Sequence, residues 1–243
     1  MKKIGIIVAM DLELQMLLNR IGCKPEPANP AGVVIFSGKI DDDDDVIICK
    51  SGIGKVNAAI ATVTLITQYQ PDYIINTGVA GSLDPNVVAM DIIIGSSVKY
   101  CDVWCGSGNV RGQVQGEPEW YPCIDVNIKS KGIDSLQYKY MTKKHICGVR
   151  RAPIVSGDWF METVADKLKA RRASGRAKAV DMESGAIAQV CHRFNMPFIP
   201  VRIISDVVGE PQHEKKYEGF WQDMASRSFD ILIELIKEIN GQD

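Results

Sequence analysis

Residues 46–81 read VIICKSGIGKVNAAIATVTLITQYQPDYIINTGVAG, and this stretch decides the fold class. Val46–Lys50 is a short, nearly continuous apolar run rich in β-branched residues, the mark of a strand buried on both faces. Ser51–Gly54 breaks it. Lys55–Gln68 then carries Val56, Ala59, Ile60, Val63 and Ile66 or Thr67 at helical spacing. Tyr73–Thr77 returns to the strand pattern. Working outward, further strands are expected at Lys3–Ala9, Val33–Ser37, Ile92–Val98, Ile154–Ser156, Ala179–Asp181 and Phe198–Ile204. Helices are expected at Asp11–Ile21, Glu162–Arg172, Glu183–Phe194 and about Tyr217–Ile239. Strands alternating with helices define an α/β fold: a single domain over 1–243, with a central mixed, largely parallel sheet flanked by helices.

Composition excludes several classes. The 243 residues are 46% hydrophobic and 24% charged with a net charge of −2, ordinary values for a globular chain and wrong for one that coats nucleic acid. No apolar run reaches the roughly 18 residues of a membrane helix. Lys2 and Lys3 precede an apolar stretch, but Asp11 ends it without a cleavage site, so it reads as a strand and not a leader. Seven scattered cysteines read as reduced thiols in a cytoplasmic protein, and no metal cluster is expected. Asp41–Asp45 falls between two strand runs and suits a solvated hairpin loop; Pro25–Pro30 suits a surface connection. The basic stretch Lys167–Lys178 complements a helix C-terminus, with Gly175 as its stop.

Ligands of open α/β sheets bind beyond the carboxyl ends of strands. The segments that follow the strands hold Glu13, Gly52-Ile53-Gly54-Lys55, Gly78-Val79-Ala80-Gly81, Trp159-Phe160-Met161, Met182-Glu183 and Ser205-Asp206. Parallel strands would bring all of these to one rim. Taken singly, Gly52–Lys55 is no P-loop, since Cys49 and Val56 stand where glycine and Ser/Thr belong. Both glycine segments read as tight strand-to-helix turns. Glu13 and Glu183 read as first-turn helix acids, and Asp206 as a helix cap.

Together the motifs carry more. Ile4-Gly5-Ile6-Ile7 with Ala9-Met10 and Glu13, Ser51–Val56, Asn76–Gly81, Val155–Asp158, Val180–Glu183 and Arg202–Asp206 resemble the 5′-methylthioadenosine/S-adenosylhomocysteine nucleosidases of the purine nucleoside phosphorylase superfamily. The resemblance covers nearly the whole chain. It implies a nucleoside phosphorylase-like fold and hydrolysis of the bond between adenine N9 and ribose C1′, a step of methionine salvage and nucleoside catabolism that uses no cofactor. On the matching motifs Asp206 would protonate adenine N7, Glu13 would activate water, and Glu183 would bind the ribose hydroxyls. Phe160 would stack on adenine and the Met161 backbone would read its edge. Met182 would pack under the ribose, with Gly81 close by. Arg202 would lie near Glu13 and the water, Ser205 would orient Asp206, and Tyr217 would line the sugar end. The resemblance also implies a homodimer in which residues 101–121 approach the partner's site.

Three departures stand out. Cys101-Asp102 replaces a His-Asp pair, Val103–Tyr121 lacks the usual aromatic spacing, and the stretch from Asp206 to Phe220 is one residue longer. They bear on the 5′ substituent, with Trp104 either a wall for that group or a core residue. The alternatives are a purine nucleoside phosphorylase, a futalosine-type hydrolase, or a non-catalytic storage or binding protein on the same fold. A phosphate acceptor needs cations and backbone donors, whereas Asp11 and Glu13 suit water.

Overall fold

The computed structural model describes residues 2–40, 44–140, 148–209 and 217–241. In chain order the elements are β1 (Lys3–Val8), α1 (Asp11–Leu18), β2 (Lys24–Pro25), β3 (Val34–Ile40), β4 (Asp44–Lys50), α2 (Lys55–Tyr69), β5 (Tyr73–Ser82), β6 (Ile92–Tyr100), β7 (Tyr121–Pro122), α3 (Lys131–Lys139), β8 (Val149–Ser156), α4 (Val164–Ala173), β9 (Ala179–Asp181), α5 (Ser184–Arg193), β10 (Phe198–Val207) and α6 (Tyr217–Asn240). The expected strands and helices are all present. The antiparallel pairing of β3 with β4 forms the expected hairpin, although residues 41–43 of its acidic turn lie outside the described residues. Pro25 belongs to the short edge strand β2, a position that tolerates the missing N–H.

The ten strands form one mixed sheet whose middle closes on itself. β4, β1, β5 and β10 pair in parallel, and so do β6, β8 and β9. The two blocks meet antiparallel, β10 against β6 and β5 against β9, so β5, β10, β6, β8 and β9 make a ring. The strands are therefore not all parallel, and the expected single rim is replaced by the place where two opposed blocks join. β5 makes this possible by running ten residues and continuing through Gly78–Gly81, the segment expected to be a turn. Its first half pairs with β1 and its last residues with β9. Ala80, Ile93, Ala152, Ile154, Ala179 and Ile204 draw on all five ring strands and pack together, alanines fitting the narrow interior. Gly95 belongs to the same economy, because a Cβ there would fall 2.4 Å from Pro200.

Larger clusters cover the outside of the sheet. Leu14 and Leu17 of α1, Ile133 and Leu136 of α3, and Ile231, Leu232 and Leu235 of α6 bury one face. Ala58, Ala61 and Leu65 of α2 with Ala186 and Ile187 of α5 bury another. α2 is apolar on both sides. The periodic residues Val56, Ile60 and Val63 face outward, with Val56 68% exposed, while Ala58, Ala61, Leu65 and Ile66 are buried.

Candidate active site

One cavity opens where β5, β9 and β10 meet, and residues from five post-strand segments line it. Glu13 comes from the first turn of α1. Its carboxylate bends back to the strand ends: Oε2 accepts the N–H groups of Ala9 and Met10, both at 3.0 Å, and Oε1 accepts that of Val79 at 3.2 Å. The side chain is thus a helix-terminal acceptor and a cavity wall at once, and only 5% of the residue is exposed. Burial raises its pKa above the ordinary carboxylate value, against the pull of these N–H donors and of the Arg202 charge. Gly78 makes the placement possible, because a Cβ there would lie 2.6 Å from Glu13 Oε1.

Asp206 is aimed by a bulge. Ile204 pairs with Ala80 and Asp206 with Gly81, so Ser205 is the extra residue, and both Ser205 and Asp206 reach the cavity. The Ser205 hydroxyl donates to Asp206 Oδ1 at 2.5 Å, while Oδ2 lies on the side of Gly81, 3.8 Å from where a Cβ there would stand. Burial raises the Asp206 pKa, and the Ser205 hydrogen bond opposes it. Glu183, at the cap position of α5, accepts the Gly54 N–H at 3.0 Å. Its pKa is pushed up to about 7 by burial and then by the neighbouring Asp181 charge, with Arg202 pulling the other way.

The segment after β8 supplies the third wall. Trp159, Phe160 and Met161 line the cavity; Met161 is buried, and Phe160 stands exposed at the mouth. Gly81, Met182 and Ser205 also line it. Arg202 does not. It is buried behind the wall, with Nε on Asp181 at 2.7 Å, Nη1 on the Asn76 and Val201 carbonyls, and Nη2 on Asn76 Oδ1 and Ser184 Oγ. With these donors spent on protein, it influences Glu13 and Glu183 through charge, not by contact with a ligand. Tyr217 opens α6, but its side chain lies outside the described residues. Sequence reasoning missed Asp181, which lines the cavity while accepting from Arg202 and Ser184. Its signal was the Asp-x-x-Ser spacing at a strand end ahead of a helix. It missed Val180 and Val208 as well, whose apolar character marks no role locally, whereas Ile53, in a segment expected at the rim, does line the cavity. Trp104 is neither core nor cavity wall: it is 51% exposed and carries the Arg111 guanidinium 4.7 Å above its ring.

Several buried carboxyl groups of raised pKa, apolar walls and an aromatic mouth suit a neutral ring system bonded to a polyhydroxylated one. No lysine, arginine or histidine is among the described residues that line the cavity. Fold and site together define a member of the phosphorylase superfamily, whose family model matches residues 3–237. A 5′-methylthioadenosine/S-adenosylhomocysteine nucleosidase of Staphylococcus aureus (strain MRSA252) is 38% identical over 237 residues, covering 97% of this chain and all of that one. The nucleosidase of Colwellia psychrerythraea 34H, solved in complex with adenine, superposes with a TM-score of 0.85 at 34% identity, over 98% of this chain and 95% of that one. The Neisseria meningitidis nucleosidase, solved with methylthio-immucillin-A, gives 0.82 at 29% identity, over 98% and 99%. The chain belongs, within the superfamily, to the 5′-methylthioadenosine/S-adenosylhomocysteine nucleosidases.

Proposed function

We propose that this enzyme hydrolyses the N-glycosidic bond of 5′-methylthioadenosine and S-adenosylhomocysteine, releasing adenine and the 5′-thioribose. The observation that carries the reading is the convergence of Glu13 and Asp206 on one cavity that lacks a described cationic side chain. In the reaction C1′–N9 breaks and its electron pair leaves with adenine. Asp206, whose pKa burial raises, gives its proton to N7. Glu13 takes a proton from the water whose oxygen bonds to C1′. Glu183 accepts hydrogen bonds from the ribose hydroxyls, the role a buried acceptor beside a sugar can fill. Phe160 covers the base, the Met161 backbone meets its edge, Met182 lies under the sugar and Gly81 leaves room beside it. Ser205 fixes the rotamer of Asp206.

Water, not phosphate, is the acceptor in this reading, since Glu13 would repel an anion and no described lining residue would hold one. Adenine release should therefore proceed at the same rate with and without phosphate and should survive EDTA. Activity only with added phosphate would mean a phosphorylase, and activity on futalosine but not on methylthioadenosine would mean the other hydrolase.

The placement of Glu13 also makes a sharp test. Gly78→Ala should lower kcat by about 100-fold, since a displacement of about 1 Å at a reacting group costs that much. The Tm should fall as well, because a φ of 157° strains a residue that carries a Cβ and the displaced carboxylate gives up its N–H donors. A normal kcat would remove Glu13 from the reacting position.

The outward stripe of α2 supports a homodimer. Val56, Ile60 and Val63, with exposed Ile53, Trp104 and Val110, are more apolar surface than a free helix face usually carries, and the Lys55–Asp102 ion pair joins α2 to the 101–121 segment. A second copy is the expected cover, the 101–121 segment approaching the partner's site. Ile60→Glu should convert a dimer to a monomer in sedimentation analysis; a wild-type monomer would refute this. No described helix is long and apolar enough to cross a membrane, and free Cys49, Cys101 and Cys191, all buried, suit the reducing cytoplasm.

A further inference from the structure

We propose that Asp102 is a positioning residue that holds the N-terminus of α2 where its first N–H meets Glu183. The inference rests on the reading above that Glu183 binds the ribose hydroxyls.

The chain of contacts is continuous. Glu183 Oε1 takes the Gly54 N–H at 3.0 Å. Gly54 caps α2 with φ of 93°, in the region that favours glycine, and a Cβ there would stand 3.0 Å from Asp158 Oδ1. The next N–H of the helix, that of Lys55, donates to Asp158 Oδ1 at 2.7 Å. Two of the donors that a helix leaves unpaired at its start are thus each taken by a carboxylate, and the partial positive charge there favours both. Asp158 is held in turn. Its own N–H donates to Asp102 Oδ2 at 2.9 Å, and the same oxygen receives Lys55 Nζ at 2.8 Å. Lys55 Nζ also lies 5.2 Å from the centre of the Tyr100 ring.

Asp102 therefore closes a loop: from Lys55 Nζ to Asp102, from Asp102 to the Asp158 backbone, and from the Asp158 side chain back to the Lys55 backbone. The Lys55 and Asp102 side chains are 25% and 23% exposed, and the loop lies at the surface beside the cavity. Gly157 leaves the space this needs, since a Cβ there would sit 2.8 Å from Asp102 Cγ. Without the loop only the Lys55–Tyr100 ring contact and apolar packing tie the start of α2 to β6, and the Gly54 N–H is held less firmly on Glu183. Asp102 does not line the cavity, so it acts indirectly, through Gly54 to Glu183, and free adenine serves as the control for the Trp159–Met161 wall that follows Asp158.

The test is calorimetric binding of two probes, free adenine and a 5′-methylthio adenine C-nucleoside that cannot be hydrolysed. Asp102→Ala should weaken the C-nucleoside by about tenfold, the scale of one lost charge-assisted hydrogen bond. Adenine affinity should stay within about twofold, the margin for independent sites. Asp102→Asn, which keeps an oxygen for the Asp158 N–H, should recover most of the loss. In a Glu183→Gln background Asp102→Ala should add no more than about twofold. Lys55→Met breaks the same ion pair from its other end and serves if Asp102→Ala does not fold. Equal weakening of both probes, or an undiminished Asp102→Ala effect in the Glu183→Gln background, overturns the proposal. A full Glu183→Gln effect beside an inert Asp102→Ala overturns the positioning role alone. A Glu183→Gln enzyme that binds the C-nucleoside normally refutes the ribose role of Glu183, and the proposal with it.

Discussion

Asp206→Asn is expected to lower kcat by about 10²–10⁴-fold while the substrate still binds, the range that a positioned general acid supplies. The asparagine amide fits the bulge and can still accept the Ser205 hydroxyl through its oxygen. What it lacks is a carboxyl proton to give to N7, so the departing adenine must leave as an anion. The sign of the pH dependence follows from the same group. Burial raises the Asp206 pKa above its usual 3.8, so the proton is kept to higher pH, and kcat/KM should fall as pH rises through that elevated value. Asp206→Asn should erase this alkaline limb along with the rate. Near-normal turnover in the variant, or an alkaline limb that persists unchanged, would take the acid role from Asp206.

Glu13→Gln should cost a comparable factor through the water, about 10²–10⁴-fold. It should also cost stability, unlike Asp206→Asn. The carboxylate accepts on both oxygens, from Ala9 and Met10 on one side and Val79 on the other. An amide offers one oxygen and one NH₂, so at one end donor faces donor, a buried mismatch worth about 1–3 kcal/mol. Its pH signature has the opposite sign to that of Asp206. The base works ionised, burial raises its pKa above 4.5, and kcat/KM should fall as pH drops through the raised value. Measuring the acid limb in wild type and variant separates Glu13 from Glu183, which also titrates upward of its ordinary value and stays in place in the variant. Retained turnover in Glu13→Gln would point to another base.

Much of this molecule is legible in its sequence. Val46–Lys50, Lys55–Gln68 and Tyr73–Thr77 announce strand, helix and strand because periodicity and β-branching are local properties, and burial on both faces leaves the same mark wherever the strand ends up. The carboxyl groups at Glu13, Glu183 and Asp206 are readable through the motifs around them. α3 escaped notice because Lys131–Lys139 carries little more than Ile133 and Leu136 as an apolar face and has Gly132 in its first turn. The rest lies in pairings between distant segments. Gly78–Gly81 weighs locally as a turn, yet β9 and β10 supply partners that hold it as strand, and that continuation closes the ring and forms the cavity. Arg202 belongs to a site motif, but a buried guanidinium takes whatever acceptors surround it, and here Asp181 and Asn76 claim it. The apolar spacing of α2 identifies Val56, Ile60 and Val63 as one stripe without saying whether sheet or surface covers it, since the helix is apolar on both sides and Ala58, Ala61 and Leu65 make a second stripe. Local pattern thus determined which elements form and which acids to watch. Contacts far apart in the chain decided how the strands close and which atom each acid faces, because hydrogen-bond partners and burial are assigned only when the sheet is assembled.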